Sequence, residues 1–162
     1  GLDLALEAAS ILHQQQVPFI WLVIGDGDER ASLTAQVKAL GLEAHFVLLG
    51  LLQNPYPYLK HATIYVQPSR YEGKSMAIDE AKLMQKPIVA TAFSSVADQI
   101  TSGVNGLVCP LDSTALATSL AQLLADPSMQ TSFSTSLAGS AVGTETEIEK
   151  LYALFPKTPP KN

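Results

Sequence analysis

Short apolar runs alternate with helix-length stripes along this chain, and the runs end on residues that do not continue a strand. The runs fall at residues 19–24, 45–49, 64–66, 88–90 and 106–108. Between them, apolar positions recur at helical spacing. Leu2, Leu6, Ala9 and Leu12, with Leu4, Ala5, Ala8 and Ile11 beside them, form a wide stripe over residues 1–16. Further helices are expected over 29–40, from Ser75 onward, and over 113–124, 128–138 and 144–155, with short helical stretches at 58–61 and 96–100. Leu116, Leu120, Leu123 and Leu124 mark the buried side of the 113–124 helix. Strands joined by helices rather than by tight hairpins run parallel, because each crossover returns the chain to the same end of the sheet. The expectation is an α/β fold, a doubly wound parallel sheet with helices on both faces. Its loops at 25–28, 50–53, 67–73 and 91–95 then share one rim, the place where open sheets bind ligands.

The 67–91 stretch, QPSRYEGKSMAIDEAKLMQKPIVAT, carries the chemistry. Pro68, Ser69 and Gly73 interrupt regular structure, and a helix is expected to begin at Ser75. Its free amides and positive dipole end face the loop, a place suited to a phosphate group. Gly73 lets the backbone approach closely. Glu72 lies in the loop and Glu80 in the second turn of the helix. Met76, Glu80 and Leu83 share one helical edge, which sets Glu80 within reach of a sugar ring, while Asp79 and Lys82 are expected to point to solvent. A diphosphate flanked by a ribose and a second sugar matches this mixture of amides and carboxylates.

Glu72-Gly73, six intervening residues, Glu80, and then Lys86-Pro87-Ile88-Val89-Ala90-Thr91 resemble the signature of retaining GT-B glycosyltransferases of family 4, the glycosyl transferases group 1 proteins. Leu22 to Gly27 resembles that family's strand ending in Gly-Asp-Gly, residues 46–50 its next strand, and Gly103-Val104-Asn105-Gly106-Leu107-Val108 its Gly-x-x-Gly-Leu-Leu turn. The resemblance implies a Rossmann-like half of a GT-B fold. It assigns Glu72 to the donor sugar, the amides of Gly73, Lys74, Ser75 and Met76 to the diphosphate, and Glu80 to the nucleotide ribose. Leu52 lies where the family lays backbone against the base, and Gly25 and Gly27 border the nucleotide pocket. Residues 1–155 are then the donor nucleotide-sugar domain, with its first strand and the family's basic diphosphate ligands expected upstream of Gly1, and 156–162 a flexible tail.

The activity implied is transfer of a sugar, with its anomeric configuration retained and without metal, from a nucleoside diphosphate sugar to a hydroxyl acceptor. UDP and GDP are the expected nucleotides, no cofactor is expected, and the other partner is an N-terminal acceptor domain of the same parent chain. Arg70 to Ser75 is similar to bacterial members that build surface polysaccharides, which implies a cytoplasmic protein, at the inner face of the membrane if the other half associates peripherally. Two alternatives stay open: a non-catalytic nucleotide-sugar binding module, and half of an epimerase with the same fold. Glu72 and Glu80 serve binding in either.

Other features have competing readings. The Gly25-Asp26-Gly27-Asp28 turn matches part of a dinucleotide fingerprint but lacks the third small residue; it also contains an Asp-x-Asp of the kind that holds a divalent ion. A tight loop bordering the nucleotide pocket needs only the glycines, and is preferred. Lys74 either reaches phosphates or runs to solvent. Ser75 is placed both to cap the helix and to donate to a phosphate. Tyr56 and Tyr58 either stack on a base or, the preferred reading, cover the sheet edge.

Composition excludes other classes. The 162 residues are 47% apolar and 15% charged, enough for one buried core in a single domain. Net charge is −5 and the basic residues are scattered, so nucleic acid is not an expected partner. The single cysteine, Cys109, rules out an internal disulfide and is expected to be a small buried residue near a strand end. His13, His45 and His61 lack metal-ligand spacing and are expected at the surface or in packing. No run is long enough to cross a bilayer, and the first residues given have no basic region ahead of an apolar segment, so a soluble, intracellular protein is expected.

Overall fold

The computed structural model describes residues 1–138, and its elements alternate as expected. They are α1 (Leu2–Gln14), β1 (Trp21–Ile24), α2 (Arg30–Ala39), β2 (Phe46–Gly50), α3 (Tyr56–His61), β3 (Tyr65–Gln67), α4 (Met76–Leu83), β4 (Ile88–Thr91), β5 (Gly106–Cys109), α5 (Ser113–Ala125) and α6 (Pro127–Ala138). The expected helix at 144–155 and tail at 156–162 lie outside the described residues.

Strand β4 shows why both faces of the sheet are covered. It sits between β3 and β5, pairs parallel with each, and all four of its residues are buried. Successive side chains on a strand point to opposite faces. Val89 therefore enters one core with Leu4, Ala8 and Leu12 of α1 and Leu116, Leu120 and Leu123 of α5. Ile88 and Ala90 enter another with Ile78 and Ala81 of α4 and with Phe93, Val96 and Ile100. Each fully buried aliphatic side chain in these layers contributes roughly 1.5–3 kcal/mol. Cys109 belongs to the first core, and burial pushes its thiol above the ordinary range.

The wide stripe on α1 has a reason. Leu4, Ala8 and Leu12 face α5, whereas Ala5, Leu6 and Ala9 pack with Leu33, Val37, Leu42 and Phe46 in a third core under β1 and β2. One helix thus serves two neighbouring cores.

Within residues 1–138 the sheet is in two parts. β1 pairs parallel with β2, β3, β4 and β5 form a second ladder, and no ladder joins β1 to β3 among the described residues. The first turn of α1 brings the two rims together. Leu2 lies against the end of β1, Asp3 binds Arg70 after β3, and Gly1 is so close to the Pro68 carbonyl that a Cβ there would lie 1.8 Å from its oxygen.

Smaller differences follow from local chemistry. Strand β1 starts at Trp21, and Ile20 before it is exposed. Gln67 belongs to β3 rather than to the loop. Helix α3 starts at Tyr56, whose amide donates to Asn54 Oδ1 at 3.1 Å. The 96–100 stretch is a 3₁₀ turn over Val96–Asp98. Helix α5 starts at Ser113 as expected and is capped by Asp112, whose carboxylate accepts from the Ala115 amide at 2.8 Å. Leu124 is only half-buried. His13 and His45 stack with ring centroids 4.7 Å apart, in keeping with a packing role.

Candidate functional site

The loop between β3 and α4 is pinned from below by the loop after β4. Thr91 is fully buried, and its hydroxyl lies 2.6 Å from the Ser69 carbonyl and 3.2 Å from that of Gln67. Ser95 donates to the Glu72 carbonyl at 2.9 Å. Gln99 holds the start of the helix: its Oε1 accepts from the Ser75 amide at 2.9 Å, and its Nε2 donates to the Ser75 carbonyl at 2.8 Å. On the far side Arg70 grips Asp3 of α1 through both nitrogens, at 2.7 and 2.6 Å. That bond is the first cause holding the Asp3 carboxyl at about 2, below the usual carboxylate value.

On this platform Glu72 is oriented through a single oxygen. Its Oε1 accepts from Gln67 Nε2 at 2.9 Å and from the Ser69 hydroxyl at 2.8 Å. Gln67 is itself oriented by the Tyr65 hydroxyl, which donates to its Oε1. Burial first, and then the charges of Glu72 and Glu80, push the Tyr65 phenol well above its ordinary range. Glu80 is also held by one oxygen, Oε1, which accepts from the Tyr56 hydroxyl at 3.0 Å. In both residues Oε2 has no hydrogen-bond partner among the described residues.

Between them lies the head of α4. Ser75 caps it as expected, its Oγ accepting from the Ile78 amide at 3.4 Å. Three expectations need correction, those for the Ser75 amide, Asp79 and Lys82. The Ser75 amide is taken by Gln99 and the residue is buried, so the backbone donors left around the helix start are those of its neighbours Gly73, Lys74 and Met76. Asp79 does not point to solvent; it is 8% exposed and accepts from Gln99 Nε2 at 3.0 Å. Lys74 is exposed, in keeping with one of its two readings, and its ammonium lies 3.4 Å from Asp79 Oδ2. The reason is shared: Gln99 offers a buried donor to Asp79, and the carboxylate held there attracts the nearest cation. Lys82 is half-buried and donates to the Gln99 carbonyl at 3.1 Å.

Gly25 and Gly27 lie in a different hollow, of about 260 Å³, lined by Leu2, Val23, Ile24, Arg30 and Leu48 among others. Gly25 has φ +138° and donates to the Gly50 carbonyl at 2.9 Å, closing the ends of β1 and β2 together. Asp26 accepts from the Gly27 amide at 2.9 Å and lies 3.9 Å from Arg30, so its carboxylate is engaged in the turn itself. Among the described residues no group of three or more His, Cys, Asp or Glu side chains is placed to hold a metal. Leu2, in the first turn of α1, lines this hollow, whereas Leu52 is half-buried and is not among its lining residues.

Sequence reasoning located Glu72, Gly73, Met76 and Glu80 but missed what fixes them: Tyr56, Gln67, Ser69, Thr91, Ser95 and Gln99. The available signal was a polar residue closing an apolar strand run, as Gln67 and Thr91 do, at the rim where such sheets bind ligands.

The profile of the family described as glycosyl transferases group 1 matches residues 1–136. Alpha-D-kanosaminyltransferase of Streptomyces kanamyceticus is 29% identical over 133 residues, 80% of this chain and 34% of that protein. The lipopolysaccharide core biosynthesis mannosyltransferase LpcC of Rhizobium leguminosarum bv. viciae is 33% identical over 137 residues, 80% of this chain and 38% of its own length. The chain therefore spans little more than a third of these relatives. A TarM variant of S. aureus, crystallised with fondaparinux, alpha-GlcNAc-glycerol and UDP, superposes with a TM-score of 0.86 at 23% identity, over 94% of this chain and 32% of that one. That likeness establishes the fold. Among the described residues no helix is long and apolar enough to cross a membrane.

Proposed function

The chain belongs to the glycosyl transferases group 1 family, and from that premise we propose that it is the donor-binding half of a retaining, metal-independent glycosyltransferase. The reaction moves a sugar from a nucleoside diphosphate sugar to a hydroxyl acceptor. The observation that carries this reading is the pair of carboxylates flanking the head of α4, each oriented through Oε1 with Oε2 free for a ligand. In this reading Glu80 binds the ribose, the α4 amides hold the diphosphate, and Glu72 orients the sugar's hydroxyls.

Breaking the glycosidic bond gathers negative charge on the diphosphate and positive charge on the sugar. The helix amides and dipole stabilise the first. The Glu72 carboxylate, fixed in advance by Gln67 and Ser69, stabilises the second at no cost in reorganisation. The Lys74–Asp79 pair leaves little net charge at the helix start, so backbone donors carry the anion site in this half of the protein. UDP, present in the TarM complex, is the first nucleotide to try, followed by GDP. The bacterial polysaccharide and lipopolysaccharide relatives point to a surface glycan as the acceptor.

The test is an NMR titration of the chain with UDP, GDP and ADP, repeated on Glu80→Ala. Saturable shifts around Gly73 for one nucleotide, weakened by the substitution, are expected. Shifts that Glu80→Ala leaves unchanged refute the ribose assignment. In the full-length protein, Glu72→Gln should abolish transfer while a chelator leaves it intact; loss on chelation refutes metal independence, and an inverted product refutes retention.

A further inference from the structure

We infer that Tyr56 is the positioning residue for Glu80, a clasp from α3 that holds the carboxylate with one oxygen bound and the other aimed at the ribose. The inference rests on the assignment of Glu80 to the ribose and adds a residue that this assignment does not contain.

Tyr56 is 44% exposed, so burial does not account for its position. Helix α3 contributes no buried residue, and only Leu59 packs partly against a core, that of Ile78, Ile88 and Ala90. The element is thus attached lightly, yet its first residue is fixed at both ends: the amide donates to Asn54 Oδ1 at 3.1 Å, and the hydroxyl to Glu80 Oε1 at 3.0 Å. The second bond joins residues 24 apart in sequence and links the segment after β2 to α4.

A glutamate on a helix surface has three free torsions, and ordering them opposes binding. Glu72 is ordered by two donors, Gln67 and Ser69. Glu80 has one, and Tyr56 supplies it. Bonding to the carboxylate, and its charge, push the Tyr56 phenol above its ordinary range, so the hydroxyl stays a donor throughout neutral pH. With Oε1 occupied, Oε2 is left to accept from a ribose hydroxyl. The ring is not required to stack on the base.

The test measures affinity for UDP, 2′,3′-dideoxy-UDP and inorganic pyrophosphate by the chain and by Tyr56→Phe, Tyr56→Ala and Glu80→Ala. Loss of a donor to a carboxylate at this exposure should weaken UDP binding about three- to tenfold in Tyr56→Phe. Affinity for pyrophosphate and the dideoxy nucleotide should not change, and Tyr56→Phe should have no further effect in the Glu80→Ala background. Unchanged UDP affinity in Tyr56→Phe overturns the inference, and if Tyr56→Ala then loses binding, the ring acts by stacking instead. Equal loss for pyrophosphate overturns it as well, because a merely structural role weakens all three ligands. UDP binding that is insensitive to Glu80→Ala overturns the ribose assignment itself, whatever Tyr56 does.

Discussion

Replacing Gln99 by leucine tests whether the start of α4 is held by a buried amide. The side chain is 5% exposed and makes three hydrogen bonds inside the protein: with the Ser75 N–H, the Ser75 carbonyl and Asp79 Oδ1. Leucine keeps nearly the same volume and removes every polar atom, so the cost is that of the lost partners and not of a cavity. Two neutral bonds at about 1 kcal/mol each and one to a carboxylate at about 1.5–3 kcal/mol give a loss of roughly 3–5 kcal/mol. Against a typical domain stability of about 5–15 kcal/mol this is a large fraction. Urea unfolding should show the midpoint falling by about 2 M at a slope of about 2 kcal/mol/M. Asp79→Asn is the internal control. It still accepts from Gln99, now as a neutral amide, and loses the charge assistance of that bond and the pairing with half-exposed Lys74, which together should cost about 1–2 kcal/mol. A Gln99→Leu loss below about 1 kcal/mol, within the range of an ordinary surface substitution, refutes the account of how the platform is held.

Two further perturbations probe the frame around the site. Asp3 has its carboxyl lowered from 3.8 to about 2, chiefly by the Arg70 bond, so its contribution is complete above pH 3.8 and is lost as pH falls through about 2. Acid unfolding of Asp3→Asn should therefore be flatter over that window than that of the parent. Because both side chains are substantially exposed, the difference should shrink in high salt; an identical acid profile would show that the pair does not bind α1 to the loop. Gly106→Ala places a Cβ 2.6 Å from the Ile88 carbonyl oxygen, against backbone that cannot rotate away, and should cost about 1–3 kcal/mol by thermal or urea unfolding. Gly27→Ala, with nothing within 4 Å, should stay within about 0.5 kcal/mol, and equal losses at the two positions would refute the packing argument.

The parts of this fold that were legible in the sequence are those governed by one-dimensional rules. Apolar runs and helical stripes identified the elements, and Ser75 identified itself as a cap, because periodicity and capping depend on near neighbours. The location of Glu72 and Glu80 was legible for the same reason, one in the loop and one in the second turn. What the sequence concealed depends on side chains brought together from far apart. Asp79 is buried only because Gln99, twenty residues away, offers it a donor, and Lys74 turns toward it as a result. Tyr56 reads as a turn residue beside prolines until α3 is laid next to α4. The wide stripe on α1 predicted burial but not that it would be shared between two cores, since width alone does not say how many neighbours fill it.

The divided sheet bears on cooperativity. Among the described residues the β1–β2 ladder and the β3–β5 ladder are separate, and α1 couples them by packing one stripe on each. The two stripes of α1 and the ring of Trp21, which touches both cores, carry most of that coupling. Segments with fewer buried contacts open at lower free energy than the fully buried core. Amide protons in β1, whose residues are at most half-buried, should accordingly exchange ahead of those in the fully buried β4.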